Sequence, residues 1–363
     1  MAFVTWTVRG LGIGILGRQV QVRPSAVRVR CCSSNPASST PVADPQDDEQ
    51  QEWVAPKLPE GFTPPQPQRF VIRRENWPEV LLGSVTGIMR GYTGAVVSGY
   101  RVRLGSSGIE ERSTTLPQTR AAKPLQLFEF ESCPFCRKVR EAVNMLDLDV
   151  YVYPCRVRFR PQIASRGGKE QFPYLIDPNT GFEGYESDSI VRYLFETYGD
   201  GKVPLPLAIA PVTNLTSTLA TLTRSGKGGY RATRTVFPSQ PLEFWGYEPS
   251  PFVRVVREKL SELELPYLLH PTSRGSVNRK KQMERTGGPF QVPYLEDINL
   301  GVKLFESPDI VEYLEEVYGP NAEGASAALP DVLKDQLPTL ETAIMEPAVP
   351  SGEAEASSSQ MQQ

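Results

Sequence analysis

Histidine is almost missing from this chain: among 363 residues there is one, His270. Imidazole-based zinc sites and Ser-His-Asp triads are thereby excluded, and any catalysis falls to Cys, Ser, Tyr, carboxylates or backbone amides. Cysteine is scarce as well. Five cysteines, unevenly placed, are too few for a disulfide scaffold. A net charge of −3 supplies no bulk attraction, so no nucleic-acid partner is expected. Acidic residues are absent before Asp44, whereas Arg9, Arg18, Arg23, Arg28 and Arg30 are spread through that stretch. Hydroxyl residues follow (Ser33, Ser34, Ser38, Ser39, Thr40), and the apolar patch Leu11 to Leu16 is too short and Gly-interrupted for a secretory core. An Arg- and Ser-rich, acid-poor leader reads as an organellar transit peptide over residues 1–43. Val29-Arg30-Cys31 resembles a stromal processing site, which directs the expectation to the chloroplast stroma.

What is present divides the remainder. Residues 44–69 are acidic and then Pro-rich, a linker composition. Residues 70–120 form an N-terminal extension in which Leu81, Val85, Ile88, Met89, Tyr92 and Val96 share one helical face. Gly83, Gly87 and Gly91 recur beside it at a spacing that permits close helix approach. Packing of this segment on the first domain is the favoured expectation. Membrane association is possible but not favoured, because Arg90 would be costly in a bilayer. Residues 202–240 read as an amphipathic connector with a stripe of Val212, Leu215, Leu219 and Leu222. Residues 321–363 read as a partly disordered, flexible tail.

One pattern occurs twice. LQLFEFESCPFCRKVREAVNMLDLDVYVYP (Leu125 to Pro154) is matched 117 positions later by LEFWGYEPSPFVRVVREKLSELELPYLLHP (Leu242 to Pro271). QFPYLIDPNTGFEGYESDSIVRYLFETYG from Gln171 is matched by QVPYLEDINLGVKLFESPDIVEYLEEVYG from Gln291. Shared residues fall at punctuation points, so two diverged copies of one supersecondary unit are expected, over 121–201 and 241–320. Apolar spacing gives each copy the order β-α-β-(short α)-β-β-α, an α/β fold class.

Chemistry is expected where the first strand of a copy hands over to its first helix. Cys133 precedes Pro134, which suits the first helical position, so its sulfur sits at a helix N-terminus where anions are stabilised. Such settings activate a thiol as thiolate. Arg137, Lys138 and Arg140 are expected to add positive charge nearby, and Cys136 lies one turn on, placed to resolve a mixed disulfide. Half of a zinc site or idle thiols are the alternatives, but no further CxxC or His pair exists to complete a metal site, and none is predicted. Copy two carries Ser250 and Val253 at the two cysteine positions, a degenerate site without redox chemistry. Ser250 is expected to cap its helix. Cys155 reads as a small buried residue.

CPFCRKVRE, then QFPYL, then YESDSIVRYL resemble the glutaredoxin-like, thioredoxin-fold N-terminal module of glutathione transferases, about 75 residues in each copy. Together with the leader this is similar to a tandem protein of that type from plant or algal chloroplasts. The resemblance implies two tandem thioredoxin-like modules and cis bonds before Pro173 and Pro293. It implies that Phe172, Pro173, Glu186 and Ser187, and in copy two Val292, Pro293, Glu306 and Ser307, bind glutathione. A helix N-terminus with Ser suits a carboxylate, and Glu suits an ammonium. The activity implied is glutathione-linked thiol–disulfide exchange, with Cys133 attacking, Cys136 resolving, glutathione as cosubstrate and thiol or disulfide proteins as clients. Two other readings stay open: a non-catalytic scaffold, and a glutathione transferase or isomerase. The transferase reading lacks the large helical domain that would follow the module.

Overall fold

The computed structural model describes residues 53–66, 77–105, 108–117, 120–209, 215–219, 228–326 and 329. The leader over 1–43 lies outside the described residues, as do most of the linker and the tail beyond 329. The first helix, α1 (Trp77–Met89), is followed by an antiparallel hairpin of β1 (Tyr100–Gly105) and β2 (Gly108–Ser113). Copy one then supplies β3 (Leu125–Glu129), α2 (Pro134–Leu146), β4 (Val150–Pro154), α3 (Arg160–Gly167), β5 (Tyr174–Asp177), β6 (Phe182–Gly184) and α4 (Ser187–Tyr198). The short α5 (Leu205–Ala208) leads out of it. Copy two supplies β7 (Leu242–Gly246), α6 (Pro251–Glu262), β8 (Tyr267–Pro271), α7 (Asn278–Thr286), β9 (Tyr294–Asp297), β10 (Val302–Leu304) and α8 (Ser307–Tyr318). Both follow the order expected from the repeats. The β1–β2 hairpin was not foreseen in the 70–120 extension.

The copies are not beads on a string. Eight strands form one sheet in the order β10-β9-β7-β8-β4-β3-β5-β6, and the modules meet where β4 pairs antiparallel with β8. Tyr151 pairs with Leu268, its own equivalent in the other copy, flanked by Val150 with Leu269 and Val152 with Tyr267. The register therefore places a pseudo-dyad through the central pair. Each module thus covers the other's exposed strand edge, which otherwise presents unpaired backbone groups. The apolar core runs through the junction: Leu127, Val152 and Leu175 belong to the same buried cluster as Phe244, Leu269 and Leu295.

Around the dyad lies a buried charge ring. Arg140 reaches Glu131 (3.1 Å) and Glu248 (3.0 Å), and also pairs with Glu129. Arg257, its equivalent, reaches Glu131 (3.1 Å) and pairs with Glu248. Arg137 and Arg254 approach Glu248 and Glu131 at 3.9 and 3.7 Å. The backbone N–H groups of Glu131 and Glu248 donate across the junction to Ser261 and Asn144, a second equivalent pair.

The α1 segment departs from expectation. Its glycines, not its apolar stripe, face the protein: a Cβ on Gly83 would lie 2.7 Å from Pro251 Cβ of copy two. Gly87 and Thr86 are buried with it, while Leu81 and Ile88 are 61% and 64% exposed. Close backbone approach to α6 explains the inversion, because large side chains on that face would hold the helices apart. Arg90 is also buried, in a bidentate pair with Glu141 of α2 (2.9 and 2.6 Å), so the segment bridges both modules. No helix among the described residues is long and apolar enough to cross a membrane. In the connector, residues 215–219 turn Leu215 and Leu219 outward and bury Ser217, opposite to the expected stripe; Val212 and Leu222 lie outside the described residues. The buried Arg90 draws this polar face inward through Thr216 Oγ1 (2.6 Å). Leu329, assigned by sequence to the tail, is buried with Phe128 and Tyr153 under copy one.

Removing one member of a buried ion-pair ring leaves its partners uncompensated, which costs about 3–5 kcal/mol. Glu248→Gln is expected to lose about that much stability in urea unfolding, with Arg140 and Arg257 left competing for Glu131. A loss below 1 kcal/mol would show that the ring does not hold the modules together.

Candidate functional site

The sheet brings the predicted copy-one residues to one end. β3 pairs with β5, Phe128 opposite Tyr174, so Pro173 lies beside the strand end that leads to Cys133. The Phe172–Pro173 and Val292–Pro293 bonds are both cis. Phe130 and Phe172 meet edge to face at 6.3 Å between the cysteine loop and the proline loop.

Cys133 is the N-cap of α2, with Pro134 in the first turn, and its sulfur accepts from the Cys136 N–H at 3.4 Å. The hydrogen bond from the Cys136 side chain, with further backbone N–H groups of Phe135 and Cys136, holds the Cys133 pKa below the usual thiol range. Burial pushes Cys136 well above that range. The two thiols are thus shifted in opposite directions, Cys133 toward thiolate and Cys136 toward the protonated form. Cys133 is only 5% exposed, a narrow opening beside the half-exposed Phe135 ring. Cys155 is fully buried, its thiol donating to the Tyr153 carbonyl (3.2 Å) and its pKa raised by burial.

The expected positive charge is differently sourced. Arg137 and Arg140 are committed to the dyad ring, and Lys138 pairs with Asp188. They follow Cys136 into the helix body, and α2 turns them toward carboxylates rather than back toward the sulfur. Charge comes instead from the loop after β4. Arg156 lies over the Phe130 ring at 4.9 Å and interacts electrostatically with Cys133, and Arg160 lies over Phe172 at 5.0 Å. Sequence reasoning missed both; in copy two Ser273 stands in the place of Arg156, while Arg279 lies over the Phe290 ring at 3.9 Å.

Glu186 and Glu306 precede the final helices with positive φ (66° and 53°), a left-handed backbone uncommon for these residues. Each accepts from a glutamine two residues before the cis proline: Gln171 Nε2 to Glu186 (2.5 Å), and Gln291 to Glu306. Ser187 and Ser307 are buried first residues of α4 and α8, whereas the cap positions belong to the glutamates without side-chain cap bonds. Capping therefore does not account for the serines.

Copy two keeps the frame without the sulfurs. Ser250 caps α6, its hydroxyl accepting from Val253 N–H at 3.4 Å, the same bond Cys133 makes. A further difference sits beneath it. Where copy one has Glu129, copy two has Gly246, and a Cβ there would lie 2.5 Å from Val253 Cγ1. Glu129 is buried, and burial lifts its pKa to about 7 against the pull of Arg140. Copy two has thus lost a buried acid along with its thiols. The lone His270 stacks on Trp245 (4.1 Å) and faces Asp149 across the junction (3.3 Å), a packing role. Among the described residues no group of three His, Cys, Asp or Glu side chains converges as a metal site.

Two segments of the chain, residues 127–202 and 244–322, match the model of one family, described as glutathione S-transferase, N-terminal domain. These are the two sequence repeats and the two structural modules. The match supports a glutathione S-transferase N-terminal, thioredoxin-like domain in each, and with it a glutathione-related role. No match was found among curated proteins or among solved structures.

Two outcomes follow from these electrostatics. Iodoacetamide near pH 7 should alkylate Cys133 ahead of Cys136 and Cys155, read by peptide mass spectrometry, since only the thiolate reacts. Equal rates at the three would contradict the assigned poise. Glu129 keeps its proton to about 7 in the fold but loses it near 4.5 when unfolded. The folded state then binds more protons across that window, so stability falls as pH rises from 4.5 to 7. Glu129→Gln should flatten this decline in urea midpoints measured across the window, and an unchanged slope would show that Glu129 does not titrate there.

Proposed function

We propose that this chain is a glutathione-linked thiol–disulfide oxidoreductase of the chloroplast stroma, acting through copy one. The observation that carries the proposal is the opposed poise of Cys133 and Cys136 at the start of α2. Cys133 thiolate attacks one sulfur of a client disulfide, forming a mixed disulfide, and the other client sulfur leaves as thiolate and takes a proton. Cys136 then loses its proton and attacks Cys133 Sγ, releasing the second client thiol and leaving a Cys133–Cys136 disulfide. Two glutathione molecules reduce that bond and leave as glutathione disulfide. Phe172 and Pro173 shape the groove for the cysteinyl part of glutathione, while Glu186 and Ser187 receive its γ-glutamyl end. Arg156 and Arg160 add a cationic wall beside Phe130 and Phe172. Copy two, with Ser250 and Val253, is a non-redox partner in which Val292, Pro293, Glu306 and Ser307 retain the frame for glutathione.

A scaffold reading has one observation in its favour, the near-complete burial of Cys133. A transferase reading has less: between α4 and β7 the described residues contain only short helical pieces, and no helical domain that would supply an electrophile pocket.

Reduction of bis(2-hydroxyethyl) disulfide by glutathione, coupled to glutathione reductase, separates these readings. The full chain is expected to turn over, Cys133→Ser to fall to the uncatalysed background, and Cys136→Ser to retain glutathione-linked turnover through the mixed disulfide. Wild-type rates no higher than those of Cys133→Ser would leave the scaffold reading as the better account.

A further inference from the structure

The pseudo-dyad sets up two equivalent crevices at the far ends of the first helices, and only one of them is filled. Asp147 and Glu264, related by the 117-residue shift, both follow a first helix with positive φ (56° and 53°) and both reach across to the other module. Glu264 accepts from Val157 N–H (2.5 Å), Arg158 N–H (3.1 Å) and Arg158 Nη1 (2.9 Å). Asp147 accepts from Ser276 Oγ (2.5 Å) and Val277 N–H (3.2 Å). On the Glu264 side the space is plugged. Arg158 Nη2 donates to the Thr233 carbonyl (3.0 Å), Val236 N–H donates to the Tyr318 carbonyl (3.1 Å), and Val236 and Phe237 are buried.

On the Asp147 side, in the 117-residue register, Gly275 stands where copy one has Arg158, closely packed by Val97 and Tyr100, and Arg120 takes over the pairing with Asp147. Tyr198, the equivalent of Tyr318, is buried at the edge of this side with its hydroxyl donating to Asp177 (2.5 Å). A crevice of about 460 Å³ remains, between the end of α2, the loop before α7 and strand β2. That volume is within the range of small-ligand sites. Its walls are apolar where Leu116, Leu148, Tyr198 and Val277 line it. The charges around it do not balance. Glu111 is already held by Arg274 (3.2 Å) and Arg279 (3.1 Å), and Asp147 by Arg120 (3.0 Å). Arg112 Nε, by contrast, is a buried N–H group without a hydrogen-bond partner, and Arg120 Nη2 makes no hydrogen bond, its nearest carboxylate being Asp149 at 3.7 Å. Buried donors are normally satisfied, and a guanidinium donor left bare asks for an anion. The spot is distinct from the thiol site: α2 has 13 residues, which at about 1.5 Å per residue separates its ends by roughly 20 Å.

We propose that this crevice is a second ligand site for a small amphipathic anion. An organic carboxylate or a phosphate monoester would place its oxygens on Arg112 and Arg120, with its apolar body against Leu116, Leu148 and Tyr198. Lys280 at the rim adds attraction but no fixed contact.

The probe is 8-anilinonaphthalene-1-sulfonate, an apolar sulfonate that fluoresces on burial, titrated into the full chain. Saturable binding is expected, displaced by decanoate or decyl phosphate and not by decanol at equal concentration. The relative potency of the first two tells carboxylate from phosphate. Arg112→Ala, on a half-buried strand of the hairpin, should weaken binding about tenfold, the worth of one charge-assisted hydrogen bond, and Arg112→Lys should recover part of it. Val277→Trp should block the crevice. Val311→Asp, in the separate groove between α6 and α8, should leave binding unchanged. The proposal is overturned if decanol competes as well as decanoate, if Arg112→Ala binds like wild type, or if Val311→Asp removes the signal. It is likewise overturned if no saturable binding occurs. Since Arg112 lies on the β1–β2 hairpin outside the eight-stranded sheet, its result stands even where Val277→Trp fails to fold.

Discussion

Cross-pairing of Glu131 and Glu248 with Arg140 and Arg257 is the constraint around which this molecule is organised. Charges this deeply buried are costly alone, and each guanidinium here is compensated by carboxylates from both copies. Neither module could keep its half in water-free surroundings without the other. The ring and the β4–β8 register express one geometry: residues related by the repeat shift face each other, so one pseudo-dyad makes the cross-pairs of Glu131 and Glu248 twice. Polar groups here act as registration devices, since a shift by one residue would strand all four charges. The first helices start beside that ring, which fixes the helix N-termini carrying Cys133 and Ser250.

Much of the architecture was legible because the repeats carry it. Pro173 and Pro293, the turn glycines and the Glu-Ser pairs recur in order, and each supplied a local rule that the fold obeys. Apolar periodicity placed the helices, since Val139, Ala142 and Leu146 could serve no other purpose. Association of the modules was not legible. Nothing in the text of Val150 to Val152 announces that this strand edge seeks its own equivalent, because pairing is decided between surfaces far apart in sequence. Charge was misread for a related reason. Arg137, Lys138 and Arg140 stand next to the cysteines in sequence, yet helix geometry turns them toward carboxylates 108 or more positions away in two cases. Arg156 and Arg160, two dozen residues on, are returned to the site by the parallel strand. The α1 stripe failed because burial followed closeness of approach, which glycine permits, rather than hydrophobicity.

At the site, the comparison between copies separates the frame they share from what copy one alone carries. The helix cap, the cis proline and the left-handed glutamate are common to both, so they belong to the frame. Cys133, Cys136, Arg156 and Glu129 are found in copy one alone. Copy two fills the Cys136 position with valine, and Gly246 makes room for it. Valine in place of the thiol thus goes with a different packing of the layer beneath.

Joining the two modules in one chain also changes what kind of equilibrium their association is. Two separate copies meeting through β4 and β8 would part on dilution, with a stability set by their concentration. Here the segment from α4 to β7 makes the encounter intramolecular, at an effective concentration independent of how much protein is present. A pairing guaranteed in this way holds at any dilution, so neither module needs the affinity that a free dimer would require.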